Sequence, residues 1–283
     1  MRLIRRISQS EIRTPHSGEQ ESTVCPAPEA AENAGENCKK EKERYHLLDG
    51  LRGITLISMI LYHGMFDLVE LYQVSVGWFW KTPGYVWQQS ICWMFILLSG
   101  FCWRLGGAPL KRGLIISACG AVITAVTYCF LPSERILFGI LTFTGAAMVS
   151  LVPLSGILRR LPGWAGFLGS GILFFITRNV NSGYLGFETM RLGRVPEGFY
   201  RGFWTTALGF PEPGFFSGDY FSYFPWIFLY LCGYFLYGIV MKRETVKKLL
   251  TMRTGIPGWI GRHSLPVYML HQPVLVLILE CIF

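Results

Sequence analysis

The segment LLDGLRGITLISMILYHGMFD, Leu47–Asp67, has the make-up of a membrane helix. Its apolar run from Leu51 to Phe66, with its flanks, reaches the roughly 20 residues that cross a bilayer core. His63 lies deep within that run. A titratable imidazole in hydrocarbon is costly unless it faces a partner or a wet cavity, so His63 is a functional-site candidate. Asp49 and Arg52 lie near one end of the segment, and His63 and Asp67 near the other. One helix thus joins an acid–base pair at one membrane face to an imidazole and a carboxylate near the opposite face.

Composition extends this reading to the whole chain. Mean hydropathy is +0.37. Hydrophobic residues make up 51% and charged residues 16% of 283, well below the roughly 25% charged of a soluble domain. The fold class expected is all-α, a polytopic transmembrane helix bundle. A net charge of +8 raises the question of nucleic acid. The basic residues are dealt out among loops between spans rather than gathered in one patch, which argues against that partner. Of eight cysteines, no pair has zinc spacing, and no metal site is expected. Cys92, Cys102, Cys119, Cys129, Cys232 and Cys281 lie in or beside apolar spans, where Cys behaves as a small hydrophobe; they and the tail residues Cys25 and Cys38 are expected to be free thiols.

Residues 1–44 are polar and poor in aromatics, so they are expected to form a disordered cytoplasmic tail that precedes a membrane domain over residues 45–283. About seven spans are expected: Leu48–Val69, Val86–Leu105, Gly113–Leu131, Ile136–Leu154, Trp164–Thr177, Tyr220–Met241 and Leu265–Phe283. The fifth is the weakest, being short and glycine-rich. With the N-terminus inside, the internal loops carry Arg104, Lys111 and Arg112, then Arg159 and Arg160, then Lys242, Arg243, Lys247, Lys248, Arg253 and Arg262. The first two external loops carry only Lys81 and Arg135, which satisfies the positive-inside rule and places Phe283 outside. The stretch from Arg178 to Asp219 is too long for an idle connector. It is expected to form a lid or a re-entrant element. Its aromatics, among them Trp204, Phe215 and Phe216, suit an interfacial belt and equally a sugar ring.

Several side chains fit chemistry. Asp49 and Arg52, one helical turn apart, are either a cap with a snorkelling Arg or a fixed ion pair at the mouth of a cofactor site. His63 lies about 21 Å along the helix from Asp49. Asp67 follows four residues later on the same face, where a carboxylate would orient the imidazole. His271, in YMLHQP, stands about 9 Å into the last span, and Pro273 frees a carbonyl near Met269. Its role is structural or ligand-contacting. His263 reads as a surface contact. Asp219 reads as a helix cap, a sugar ligand or a partner for His63, and Gln88, Gln89 and Ser90 would line the same outer cavity. The chain holds no Walker A loop, HExxH or GxSxG, which disfavours ATP-driven phosphoryl transfer and metalloprotease chemistry.

Three blocks then carry a resemblance: RYHLLDGLRGITLISMILYHGMFDL, GFPEPGFFSGDYFSYFPWIFLYLCGYFLYG and GRHSLPVYMLHQPVLVLIL. In this order across one polytopic chain, they resemble the bacterial relatives of heparan-α-glucosaminide N-acetyltransferase, within the wider group of transmembrane acyltransferases. The resemblance covers about Tyr45 to Phe283. It implies an integral enzyme of the cell membrane that moves acetyl from cytoplasmic acetyl-CoA to an amine or hydroxyl of an extracytoplasmic sugar or glycan. In the family's human enzyme the catalytic histidine follows the first family span. This chain has no His between Gly64 and Arg262, so by chemistry the role falls to His63.

On that reading His63 is the base, oriented by Asp67 or Asp219. Acetyl-CoA is an activated thioester, so the transfer requires no metal. Asp49, Arg52, Arg104, Arg112, Arg262 and His271 are expected to contact the donor, the arginines at its phosphates. Direct transfer and an acetyl-His intermediate both stay open, as does self-association. A transporter or flippase for a small polar solute or lipid is the alternative, since it too places His and Asp in spans. A non-catalytic scaffold is a third reading, in which His63 is dispensable.

Overall fold

The computed structural model describes residues 44–283. The expected tail, apart from Arg44, lies outside the described residues, as do Cys25 and Cys38. Ten α-helices and one two-stranded hairpin follow in chain order. Six helices are long and apolar enough to cross a membrane: α1 (His46–Glu70), α2 (Thr82–Trp103), α3 (Pro109–Phe130), α4 (Ile140–Leu158), α7 (Tyr223–Val240) and α10 (Ser264–Ile282). The chain is therefore a multi-pass, all-α membrane bundle.

The weakest expected span is the seventh long element. Helix α5 (Gly163–Thr177) has 15 residues, about 22 Å of rise. It nevertheless joins the same two levels as α7. Gly163 and Trp164 lie beside Gly238 and Lys242 at the end of α7. At its other end, Arg178 donates to Gln89 Oε1 (3.0 Å) near the start of α2 and stacks over Trp226 (5.0 Å) near the start of α7.

Helices α2, α4, α5 and α7 share the main core, with Ile96, Ala147, Leu151, Tyr230 and Tyr234 fully buried. Glycine sets the closest approach. A Cβ at Gly100 would stand 2.0 Å from the Tyr230 carbonyl oxygen, and one at Gly233 would stand 2.1 Å from that of Leu97. Two reciprocal glycines let the α2 and α7 backbones touch, as small residues do where helices pack in lipid. After a short helix α8 (Glu244–Leu250), a second short helix α9 (Gly255–Arg262) joins α1, α2 and α10 beside this core, around Leu56, Met59, Ile91 and Ile260. The outer faces of α3 and α10, including Val122, Val126, Leu270 and Leu277, remain exposed and apolar, as surfaces meant for lipid do.

The stretch between α5 and α7 folds as a cap. It holds β1 (Tyr184–Phe187) paired antiparallel with β2 (Met190–Arg194), then α6 (Phe203–Leu208). A two-stranded ribbon leaves both outer edges unpaired, which hydrocarbon does not tolerate, so the cap belongs outside the bilayer core. It is fastened to the bundle by Tyr85 to Glu188 (2.7 Å), Asn181 to Ser222 (2.9 Å), and the Leu137 N–H to Ser217 Oγ (2.9 Å). Phe215 packs on Tyr220, whereas Trp204 is 79% exposed and Phe216 projects outward.

Candidate active site

The α1–α10 seam brings two histidines together. The rings of His63 and His271 lie 5.0 Å apart, centre to centre, at 59°. Tyr62 meets His63 edge-on and continues into Phe79 and Trp87, each at 5.2 Å, so an aromatic wall closes one side. His271 Nδ1 is 2.5 Å from the Tyr268 carbonyl oxygen. A carbonyl can only accept, so Nδ1 carries the proton, and in the neutral ring Nε2 presents a lone pair. That Nε2 is buried and has no protein partner.

One turn along the same seam, Gln272 Nε2 donates to both Asp67 carboxylate oxygens, at 2.9 and 3.0 Å. Asp67 is 2% exposed. The hydrogen-bond partner of the Asp67 carboxylate is Gln272, and no bond joins it to His63 among the described residues. With its nitrogen on the carboxylate, Gln272 turns Oε1 away, and that buried oxygen is unpartnered too.

Asp219 also differs from expectation. Its Oδ2 accepts the Ile140 N–H (3.2 Å) and so caps α4, rather than α7 or His63. Burial raises its carboxyl from 3.8 to about 6, with the Ile140 bond acting in the opposite sense. Gln89, expected to line an outer cavity, instead receives Arg178 and Trp93 (3.2 Å). Ser90 turns back to the Trp87 carbonyl, and Gln88 is exposed.

The remaining candidates lie at the basic end. Asp49 is buried and accepts Arg44 Nε at 2.9 Å, with Arg52 at 3.8 Å. Its closer partner is Arg44, which sequence reasoning assigns to the tail. Arg104 stacks over Tyr237 (4.7 Å) and Tyr234 (5.3 Å). Arg112 is half-buried, and its Nε and one terminal nitrogen have no hydrogen-bond partner. Arg262 lines a cavity of about 330 Å³ with His46, Arg253, Thr254, Gly255 and Gly258. Neither Arg253 nor Arg262 has an acidic partner among the described residues. His263 Nδ1 bonds to the Trp259 carbonyl (2.9 Å), a local contact as expected.

The α1–α10 seam thus holds one side-chain hydrogen bond, Asp67 with Gln272, and one imidazole pair, His63 with His271, while Arg253 and Arg262 line a separate cavity. A model of the catalytic region of heparan-alpha-glucosaminide N-acetyltransferase matches residues 44–273, about four fifths of the chain. The chain belongs to this family. The family match opens at Arg44, the partner of Asp49, and closes on His271, Gln272 and Pro273, so the α1–α10 seam falls within the region that defines heparan-alpha-glucosaminide N-acetyltransferase relatives. Membership makes the protein a membrane-embedded acyltransferase relative. No curated protein and no solved structure is significantly similar to it. Sequence reasoning misses the Asp67–Gln272 bond and the roles of Arg44 and Arg253. The available signal is polarity: two polar pairs, His63 with Asp67 and His271 with Gln272, lie in otherwise apolar spans and need partners.

Proposed function

We propose that the protein transfers acetyl from acetyl-CoA, bound at the basic end, to an amine or hydroxyl of a sugar or glycan presented at the opposite end. The basic end is the cytoplasmic one and the membrane is the cell membrane. The family match carries this reading. The unpartnered guanidinium nitrogens of Arg112 and the cavity at His46, Arg253 and Arg262 support it, because coenzyme A brings phosphates that such groups bind. Asp49 holds Arg52 in place, and Arg104 flanks the same end.

His63 serves as the base. The acceptor nitrogen or oxygen attacks the thioester carbonyl, its proton passes to His63, and the carbon–sulfur bond breaks. The proton then leaves with the coenzyme A thiol. Asp67 and Gln272 fix the seam between α1 and α10, and Asp219 steadies the cap-facing end of α4. The test is release of free coenzyme A thiol by purified protein in proteoliposomes. Acetyl-CoA is supplied at the basic end and glucosamine opposite. Acceptor-dependent release that is lost in His63→Ala supports the reading. Flux of solute without any use of acetyl-CoA would favour a transporter.

A further inference from the structure

We infer that His271 is a positioning residue for His63, filling the place that a carboxylate fills in a catalytic triad. The inference rests on the acyltransferase reading, with His63 as base. A base imidazole needs an acceptor behind it, to fix its tautomer and to hold its second N–H as it becomes an imidazolium. Among the described residues no hydrogen bond or ion pair joins His63 to Asp67, which accepts from Gln272, or to Asp219, which accepts the Ile140 N–H.

What faces His63 is His271. Its Nδ1–H is committed to the Tyr268 carbonyl, so in the neutral ring its Nε2 is an acceptor. That Nε2 is buried and unpartnered. A buried polar atom with no partner is uncommon, so one beside a base asks for a physical reason. Ring centres 5.0 Å apart allow nitrogens turned toward one another to reach the roughly 3 Å of an N–H···N hydrogen bond. Such catalytic bonds commonly tighten only once substrate is bound.

Proton movement then balances simply. The acceptor's proton goes to one nitrogen of His63, while the other nitrogen keeps its N–H and donates it to His271 Nε2. The thioester supplies the leaving thiolate, which takes the proton back from His63. Nothing is oxidised or reduced, and His271 stays neutral throughout.

Two substitutions separate this role from a structural one. Asparagine places an amide N–H where Nδ1 stands, and glutamine places an amide oxygen where Nε2 stands. If His271 orients His63, His271→Gln keeps at least a tenth of wild-type kcat. His271→Asn then loses 100-fold or more in kcat, with KM for acetyl-CoA unchanged. If the Tyr268 bond is all that matters, the order reverses, and that result overturns the inference. Stabilisation of each variant by acetyl-CoA serves as the folding control.

Should neither variant fold, nitrogen-15 spectra of histidine-labelled wild-type protein in bilayers decide the matter. A through-bond N–H···N coupling from His63 to His271 Nε2 in the presence of acetyl-CoA is expected, and its absence overturns the inference. A wild type without acetyl-CoA-dependent turnover overturns the acyltransferase reading and this inference together. Turnover in the wild type with an undiminished His271→Asn overturns the inference alone.

Discussion

Gln272 holds both carboxylate oxygens of Asp67 with one amide nitrogen, at 2.9 and 3.0 Å, and so ties the last long helix to the first inside the bundle. Gln272→Leu strips a buried carboxylate of its donor. Leaving such a group unsatisfied costs about 1–3 kcal/mol. The melting temperature of detergent-purified protein is expected to drop with Gln272→Leu. It is expected to recover partly when Asp67→Leu is added, because removing both partners leaves no orphan. A double variant as unstable as the sum of the two singles would contradict this coupling.

The reciprocal approach of α2 and α7 predicts a contrast between glycines. Gly233→Ala drives a methyl into the Leu97 carbonyl, and overpacking of this kind costs about 1–3 kcal/mol. At Gly169, on α5, an added Cβ would meet nothing within 4 Å. Gly169→Ala is expected to fall within about 0.5 kcal/mol of wild type. Thermal unfolding of the two variants side by side checks the pair.

Arg112 predicts a change in binding without a change in fold. Its buried nitrogens lack protein partners, so Arg112→Gln is expected to leave the ligand-free melting temperature unchanged or raised. Loss of one charge-assisted hydrogen bond, worth about 1.5–3 kcal/mol, weakens acetyl-CoA binding about tenfold or more. Titrating acetyl-CoA against both proteins by thermal shift measures the difference.

Asp219 carries a pH dependence. Its folded carboxyl titrates near 6 against an ordinary 3.8, so between those values the folded protein keeps a proton that the unfolded chain releases. Stability from this group is therefore fully present below about pH 4 and is lost as pH rises through about 6. Asparagine still accepts the Ile140 N–H and does not titrate. The gap in melting temperature between wild type and Asp219→Asn should move against the wild type across that window. A gap that stays constant would contradict the assignment.

The membrane helices are legible in the sequence because composition alone sets them. Helix α1 and the five other long spans are apolar over bilayer length, whatever they pack against. The partner of Asp67 is not legible. Helical spacing puts His63 and Asp67 on one face of α1 but does not tell which helix meets that face, and Gln272 lies 205 residues away. Asp219 reads as a cap for the helix that follows it, whereas it caps α4, 79 residues earlier. The kind of interaction is readable from the residue, and its address comes only from the tertiary structure. The β1–β2 hairpin escapes for another reason. Strands of four and five residues holding Gly186 and Gly193 show no clean alternation. The eight-residue α9 is likewise too short and too rich in glycine for a periodic signal.

Acetyl-CoA as the acyl donor is the claim on which the proposed chemistry depends. The most direct measurement is the melting temperature of detergent-purified protein with and without millimolar acetyl-CoA. A ligand that binds only the folded state stabilises it by about 2.7 kcal/mol at a hundredfold excess over its dissociation constant. A saturable rise in wild type and in His63→Ala, reduced in Arg112→Gln, is the predicted result. No rise at millimolar acetyl-CoA would contradict the acetyltransferase reading and move the transporter to first place.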